Sequence, residues 1–257
     1  MVFAGSASKP PTEEASRLFE RKTGIGVDLT FGGSGYVLSQ MMLAKAGDIY
    51  FPGSSDYMER AKRRGVVFPG SERIVVYLVP SINVQRRNPK RIKSLKDLTR
   101  PGVRVAIANP DGVCVGAYAV EIIEKNMTYA EKAALRKNVV NYTGSCAKTA
   151  AVISLKMVDA VIGWRVFEYW DPERIETIPL DRSEIVRLGY IPIAISRYAE
   201  DRDLARRYIE FMLSREAATV FKRFNYFSTP EEAFAWIGES KPIGGEYQVP
   251  GEWLSSK

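Results

Sequence analysis

The sequence predicts an α/β fold arranged as two lobes, and three observations carry that expectation. Short apolar, β-branched runs alternate with helical patterns through most of the 257 residues, as expected of strand-helix units that feed a mostly parallel sheet. Strand-to-helix junctions recur as small-residue turns: Gly5-Ser6-Ala7-Ser8, Gly32-Gly33-Ser34-Gly35, the loop from Asn109 to Gly116, and Thr143-Gly144-Ser145-Cys146. Between Ser81 and Pro101 the composition turns basic and polar, which marks a passage from one lobe to the other.

Taken in order, Val2-Phe3-Ala4 reads as a short buried strand, and Pro10-Pro11 opens a helix whose amphipathic body runs over 12–23. Ala15, Leu18 and Phe19 share its face and Gly24 ends it. The second strand is Val27 to Phe31. A helix over 36–46 follows, with Val37, Leu38, Met41 and Met42 at helical spacing. Gly47 to Phe51 is a third strand, ending in one more small turn, Pro52-Gly53-Ser54-Ser55, ahead of a helix over 56–64.

Ile74 to Val79 is continuously apolar and predicts a strand buried on both faces within 73–80. Ser94 to Leu98 predicts a short helix, and Val103 to Ala108 the first strand of the second lobe. Helices over 117–125 and 130–137, a strand over 139–142, a helix over 147–157 and a strand over 158–164 complete that lobe. The apolar stretch within Glu184 to Ser196 carries the chain back, and helices over 201–213 and 215–224 finish the first lobe. After a last helix over 230–237, the Gly/Pro-rich end reads as an ordered strap, because Trp236, Tyr247 and Trp253 are costly to leave in water. Lobe I is thus expected at 1–79 and 190–257, lobe II at 80–189, with a ligand cleft between them.

An apolar fraction of 46% and a charged fraction of 26% are those of a globular protein. No run approaches the length of a membrane span, and the start lacks a basic-then-apolar leader. Met1 stands directly before strand-like residues, which suggests either a cytoplasmic protein or one whose leader has been removed. The net charge of +7 is scattered, without interleaved aromatics, so it reads as a basic surface and not as a nucleic-acid site. The absence of histidine excludes Ser-His-Asp and Cys-His catalysis and any histidine-ligated metal. Cys114 and Cys146 form neither a zinc motif nor a C-x-x-C pair; they are either separate buried thiols or one disulfide of an exported protein.

The turns themselves point to anion binding. Glycines let the backbone approach a ligand, Ser34 can cap the following helix or offer its hydroxyl, and the free N–H groups of a helix's first turn carry partial positive charge. In a parallel sheet such turns lie at the carboxyl ends of the strands and face one crevice.

The runs VFAGSAS, RKTG, FGGSGYVLSQ, GDIYFPGSSDYM and EFMLSREAATVFKRF are collinear with, and together resemble, the periplasmic molybdate/tungstate-binding proteins of ABC importers over about residues 2–226. The resemblance implies a type II periplasmic-binding-protein fold: two α/β lobes, each a mixed, mostly parallel sheet flanked by helices, joined by two crossing strands. It further implies a tetrahedral dianion, molybdate or tungstate, held by Ser6 and Ser34, by the backbone of Ala7 and Gly35, and by loop backbone near Val115 and Cys146. Trp164 stands where the family often closes the site with a tyrosine; its indole N–H donates but cannot accept, and this departure, with Arg165 beside it, bears on which anion is bound. The first turn has its serine at Ser6, as in an archaeal form that reads A-G-S-x-S, where the bacterial form has it at Ala7.

By the same resemblance the cysteines face the ligand on second-lobe loops, close enough for a disulfide. The implied protein is a non-enzymatic monomer, periplasmic or extracytoplasmic, with or without a membrane anchor in its precursor. Its partner is an ABC permease, and it needs no cofactor, metal centre or nucleic acid. A dianion leaving water needs several donors; roughly six charge-assisted hydrogen bonds at about 1.5–3 kcal/mol each, with helix N-termini behind them, suffice for tight binding. The alternatives are another anion (sulfate, phosphate or an organic sulfonate), the effector-sensing part of a transcription regulator, ferric-ion capture, and an enzyme using Asp48, Asp56 or Asp111. Lone aspartates at turns are ordinarily caps.

Overall fold

The computed structural model describes residues 1–254. The chain opens with β1 (Val2–Gly5), a 3-10 turn (Ser6–Ser8) and α1 (Lys9–Thr23). Prolines in the first turn of α1 lose no hydrogen bond there, and Gly24 ends it at φ 71° with its N–H on Glu20 O. β2 (Leu29–Gly32), α2 (Ser34–Ala44), β3 (Ile49–Phe51), α3 (Ser55–Arg63) and β4 (Arg73–Leu78) complete the first pass through lobe I. Lobe II contains β5 (Pro80–Gln85), β6 (Val105–Ala108), α4 (Cys114–Asn126), α5 (Tyr129–Asn138), β7 (Val139–Thr143), α6 (Cys146–Ser154), β8 (Ala160–Trp164), α7 (Phe167–Trp170) and β9 (Ile175–Ile178). The return strand β10 (Gly189–Ile195) leads to α8 (Arg202–Met212), α9 (Arg215–Arg223) and α10 (Pro230–Ile237).

The two sheets repeat one plan. The first runs β2-β1-β3-β10-β4 and the second β7-β6-β8-β5-β9. In each, three parallel strands meet one antiparallel strand that arrived from the other lobe, β10 beside β3 in one and β5 beside β8 in the other. The chain therefore crosses twice, through Val79 and between β9 and β10, and the fold is the two-lobed α/β architecture expected.

Several elements differ from expectation for identifiable reasons. The strand at 73–78 is exposed at Arg73 and Ile74, because β4 is the edge of its sheet, paired along its length with β10 and, among the described residues, bridged on its outer side only at Tyr77, to Phe227. The first strand of lobe II is β5, within a stretch that reads as polar. It is buried throughout, and two of its polar residues bond inside the core: Asn83 Nδ2 donates to Trp164 O at 3.2 Å and to Thr177 Oγ1 at 3.1 Å, and Gln85 Nε2 to Val158 O at 2.8 Å. α4 and α6 begin at the cysteines themselves, so both thiols occupy first helical positions and not loops.

The end of the chain, assigned to lobe I from the sequence, contributes Ala233, Ile237, Val249 and Trp253 to the core of lobe II. Trp253 is buried as expected of a strap, whereas Trp236 is 37% exposed. A second core cluster runs without a break from lobe I into Cys114, Cys146 and Trp164 of lobe II, so the lobes are closed upon one another.

Candidate functional site

The turns after β1, β2 and β3 converge with the N-termini of α4 and α6. Ser34 can cap α2 in principle, but no side-chain cap bond forms; its Oγ instead accepts the N–H of Gly53 at 2.9 Å. Gly5 and Gly53 are required at that contact: a Cβ on Gly5 would sit 2.5 Å from Ser34 Oγ, and one on Gly53 2.6 Å from both Ala7 Cβ and Cys114 Sγ. The same knot thus holds Ser34, Ala7 and a sulfur from the opposite lobe.

Two buried phenols fix the turns. Tyr50 donates its hydroxyl to Ser34 O at 2.9 Å and Tyr226 to Ala7 O at 2.7 Å. Burial raises both phenols well above their ordinary pKa, so they stay protonated donors. Each takes up a carbonyl lone pair that would otherwise repel an anion.

Lobe II contributes thiols, an indole and amides. Cys114 Sγ and Cys146 Sγ lie 3.4 Å apart as free thiols, near one another as expected but without a disulfide. Burial pushes the Cys146 thiol up and Cys114 pushes it further, while the Val115 N–H and the Trp164 indole oppose them. Trp164 is fully buried and its Nε1 has no hydrogen-bond partner of ordinary length. Its ring meets Tyr118 edge-on at 4.8 Å.

Direct bonds join the lobes around this cluster. The Ala147 N–H donates to Ser6 Oγ at 3.2 Å, the Gly35 N–H to Gly112 O at 3.0 Å, and Asn109 Nδ2 to Tyr36 OH at 3.1 Å. Of the residues named from the sequence, Ser6, Ala7, Ser34, Val115, Cys146 and Trp164 are gathered here. Gly35 lies alongside, its N–H taken by Gly112. Arg165 turns elsewhere: its Nη2 donates to Asn225 Oδ1 at 3.0 Å, and its guanidinium lies 4.3 Å from the Phe227 ring centre. Burial lowers its pKa, against the pull of Tyr169 and Glu168.

Gly53, Ala147 and Tyr226 were not singled out from the sequence. Gly53 was open to recognition, since Pro52-Gly53-Ser54-Ser55 repeats the strand-turn-helix grammar of the first two turns. Tyr226 gave no such signal, because it reaches Ala7 from 219 positions away.

The scattered aspartates form no constellation. Asp48 Oδ2 accepts the chain's amino terminus at 2.6 Å, and Asp56 is bound to Arg187. Among the described residues, no group of three or more His, Cys, Asp or Glu is placed to hold a metal ion, and no helix is long and apolar enough to cross a membrane.

Two lobes meet over converging hydroxyl and amide groups, and the sequence comparison decides the family: residues 1–226 match the model for bacterial extracellular solute-binding proteins. The chain belongs to that family. This solute-binding protein is 27% identical over 230 residues to a Haemophilus influenzae protein named only as a binding protein, covering 86% of this chain and 87% of that one. It is 24% identical over 220 residues to the molybdate-binding protein ModA of Rhodobacter capsulatus, covering 84% and 83%. Among solved structures, the periplasmic molybdate-binding protein of Azotobacter vinelandii superposes with a TM-score of 0.75 at 16% identity, over 88% of this chain and 97% of that one. The sulfate-binding protein SubI of Mycobacterium tuberculosis superposes with a TM-score of 0.76 at 16% identity, over 94% and 91%. At those identities the superpositions establish the fold of this solute-binding protein: two lobes of the type II periplasmic-binding kind.

Proposed function

We propose that this solute-binding protein captures a tetrahedral oxyanion, molybdate or tungstate, outside the cytoplasmic membrane and delivers it to an ABC permease. The observation that carries the reading is the meeting of Ser6, Ser34 and the first-turn amides of α4 and α6 at one buried point, with the partial positive charge of two helix N-termini behind it. In the closed molecule Ser6 and Ala147 bond to each other. An anion entering between the open lobes takes a bond from each, and closure around it replaces the direct contact.

Trp164 narrows the class. Its indole can only donate, and the amides around it can only donate, which suits an anion whose oxygens are all acceptors. Molybdate, tungstate and sulfate meet that condition, whereas monoprotonated phosphate brings an O–H that needs an acceptor. Sulfate is therefore the second reading, and the longer metal–oxygen bonds of molybdate and tungstate distinguish them by size.

Isothermal titration of the purified protein with molybdate, tungstate, sulfate and phosphate tests this. The expected order is molybdate or tungstate tightest, sulfate at least tenfold weaker and phosphate weakest. Sulfate binding tightest would establish the second reading, and heat from none of the four would overturn both.

A further inference from the structure

Two thiols in the ligand cluster are not explained by anion capture, since S–H is a weak donor. Cys114 and Cys146 are each 1% exposed, with sulfurs 3.4 Å apart. Their positions are not those of isolated core fillers. Cys114 projects from the start of α4 against Gly53 and Ala7 of the other lobe. Cys146, at the start of α6, receives the Val115 N–H and faces the buried Trp164 indole, whose Nε1 has no other hydrogen-bond partner. The two sulfurs are therefore in contact at the seam that opens when the lobes part.

We propose that Cys114 and Cys146 are a ligand-shielded redox pair: in the open molecule a small-molecule or protein disulfide oxidises them to an intramolecular disulfide, and that disulfide weakens oxyanion binding. This rests on the reading of the cleft as an oxyanion site. The first thiol loses its proton to solvent, and its thiolate attacks the oxidant's S–S bond, forming a mixed disulfide and expelling one thiolate of the oxidant. The second cysteine, deprotonated in turn, attacks the protein sulfur of the mixed disulfide and expels the other. The pair loses two protons and two electrons, and the oxidant's disulfide becomes two thiols.

Access sets the order of events. In the closed form both sulfurs are out of reach and Cys146 is held as an unreactive thiol by burial. An anion that holds the lobes shut keeps them so. Oxidation in turn removes two S–H donors from the site and ties the first turns of α4 and α6 together, displacing amides that face the anion.

The test counts free thiols by alkylation and mass spectrometry after incubation with oxidised glutathione, with and without tungstate, and titrates tungstate into the reduced and oxidised protein. Expected are loss of both alkylation sites without a glutathione adduct, at least tenfold slower loss when tungstate is present, and at least tenfold weaker tungstate binding after oxidation. The double variant C114S/C146S, its folding checked by circular dichroism, is expected to bind tungstate equally before and after the oxidant. Two thiols that still alkylate after oxidation, equal affinity in both states, or no protection by tungstate would overturn the proposal. If the reduced protein binds no tetrahedral oxyanion, the proposed function fails, and the thiol count still decides whether the pair forms.

Discussion

Ser6 Oγ accepts the N–H of Ala147 at 3.2 Å, across the cleft and across 141 positions of chain. The bond joins the first small-residue turn of the sequence to the first turn of α6. On the proposed function, replacing Ser6 by Ala removes a charge-assisted donor worth roughly 1.5–3 kcal/mol. The expected result is a loss of about ten- to a hundredfold in oxyanion affinity, read by titration calorimetry, with only a small fall in the thermal midpoint from the part-buried Ala147 N–H that loses its acceptor. Ser34→Ala is expected to weaken binding similarly and also to cost stability, because it strands the buried Gly53 N–H that Ser34 now accepts.

Gly33 tests closure separately from ligand contact. Its backbone is extended, at φ −64° and ψ 141°, so alanine is tolerated locally. A Cβ there would lie 2.7 Å from Gly112 O and 2.8 Å from Gly144 O, both backbone atoms of the opposite lobe. Gly33→Ala is therefore a wedge: the lobes fold but cannot shut. Small-angle scattering is expected to show the wild-type protein contracting when the anion is added and the variant keeping its larger radius, with affinity at least tenfold lower.

How much of this was legible follows from where each interaction is made. The turns at Gly5 to Ser8 and Gly32 to Gly35 announce themselves locally, through glycine and serine between a strand and a helix, and the structure gathers both. β5 was missed because Ser81, Asn83 and Gln85 read as solvent-facing, and only the distant partners Trp164, Thr177 and Val158 make Asn83 and Gln85 tolerable inside. The docking of the strap on lobe II was illegible for the same reason: an aromatic residue says that it wants burial, not against which surface.

Arg187 lies where the chain returns from lobe II, and it binds both lobes. Its Nε donates to Glu121 Oε2 at 2.6 Å, its Nη atoms to Asp56 at 3.0 and 3.2 Å, and Nη1 to Gly245 O at 2.8 Å. Despite burial, the two carboxylates and Tyr118 raise its pKa, so it is charged at every accessible pH. Arg187→Met leaves buried Asp56 without its cation and Glu121 with only Lys125, at 2.9 Å, and a loss of roughly 3–5 kcal/mol is expected. Arg187→Lys, which keeps the charge but not the fork, should recover only part of it. Denaturant midpoints of the two variants measure the difference.

Acid should destabilise the fold through identifiable carboxylates. Burial raises Asp159, but hydrogen bonds and charge from Arg104 outweigh it and leave the group below its ordinary pKa. Glu246 is lowered chiefly by its bond to Arg63. A carboxylate whose folded pKa is depressed contributes stability above its unfolded value, near 3.9–4.3, and that contribution disappears as pH falls through the folded value. Glu184 runs the other way: raised by burial, it disfavours the fold as pH rises through its own value. The denaturation midpoint is expected to fall as the pH drops below about 4, and Asp159→Asn to flatten that slope while lowering the plateau at neutral pH.

Trp253 gives the strap its anchor, through three distinct contacts. Its Nε1 donates to Glu124 Oε1 at 2.8 Å, the Arg136 guanidinium lies 4.3 Å from its ring centre, and the ring is buried in the core of lobe II. Arg136 is held over the ring by Glu252 at 2.6 Å, so the strap supplies both the aromatic face and the carboxylate that positions the cation. Trp253→Ala removes all three contacts and opens a cavity, and about 3 kcal/mol of stability is expected to go with them. Trp253→Phe keeps the face and loses the indole N–H, so it should recover the packing and leave a deficit of about 1 kcal/mol for the bond to Glu124. Denaturation of the two variants separates these parts. If Trp253→Phe were as unstable as Trp253→Ala, the hydrogen bond to Glu124, and not burial, would be what holds the strap in place.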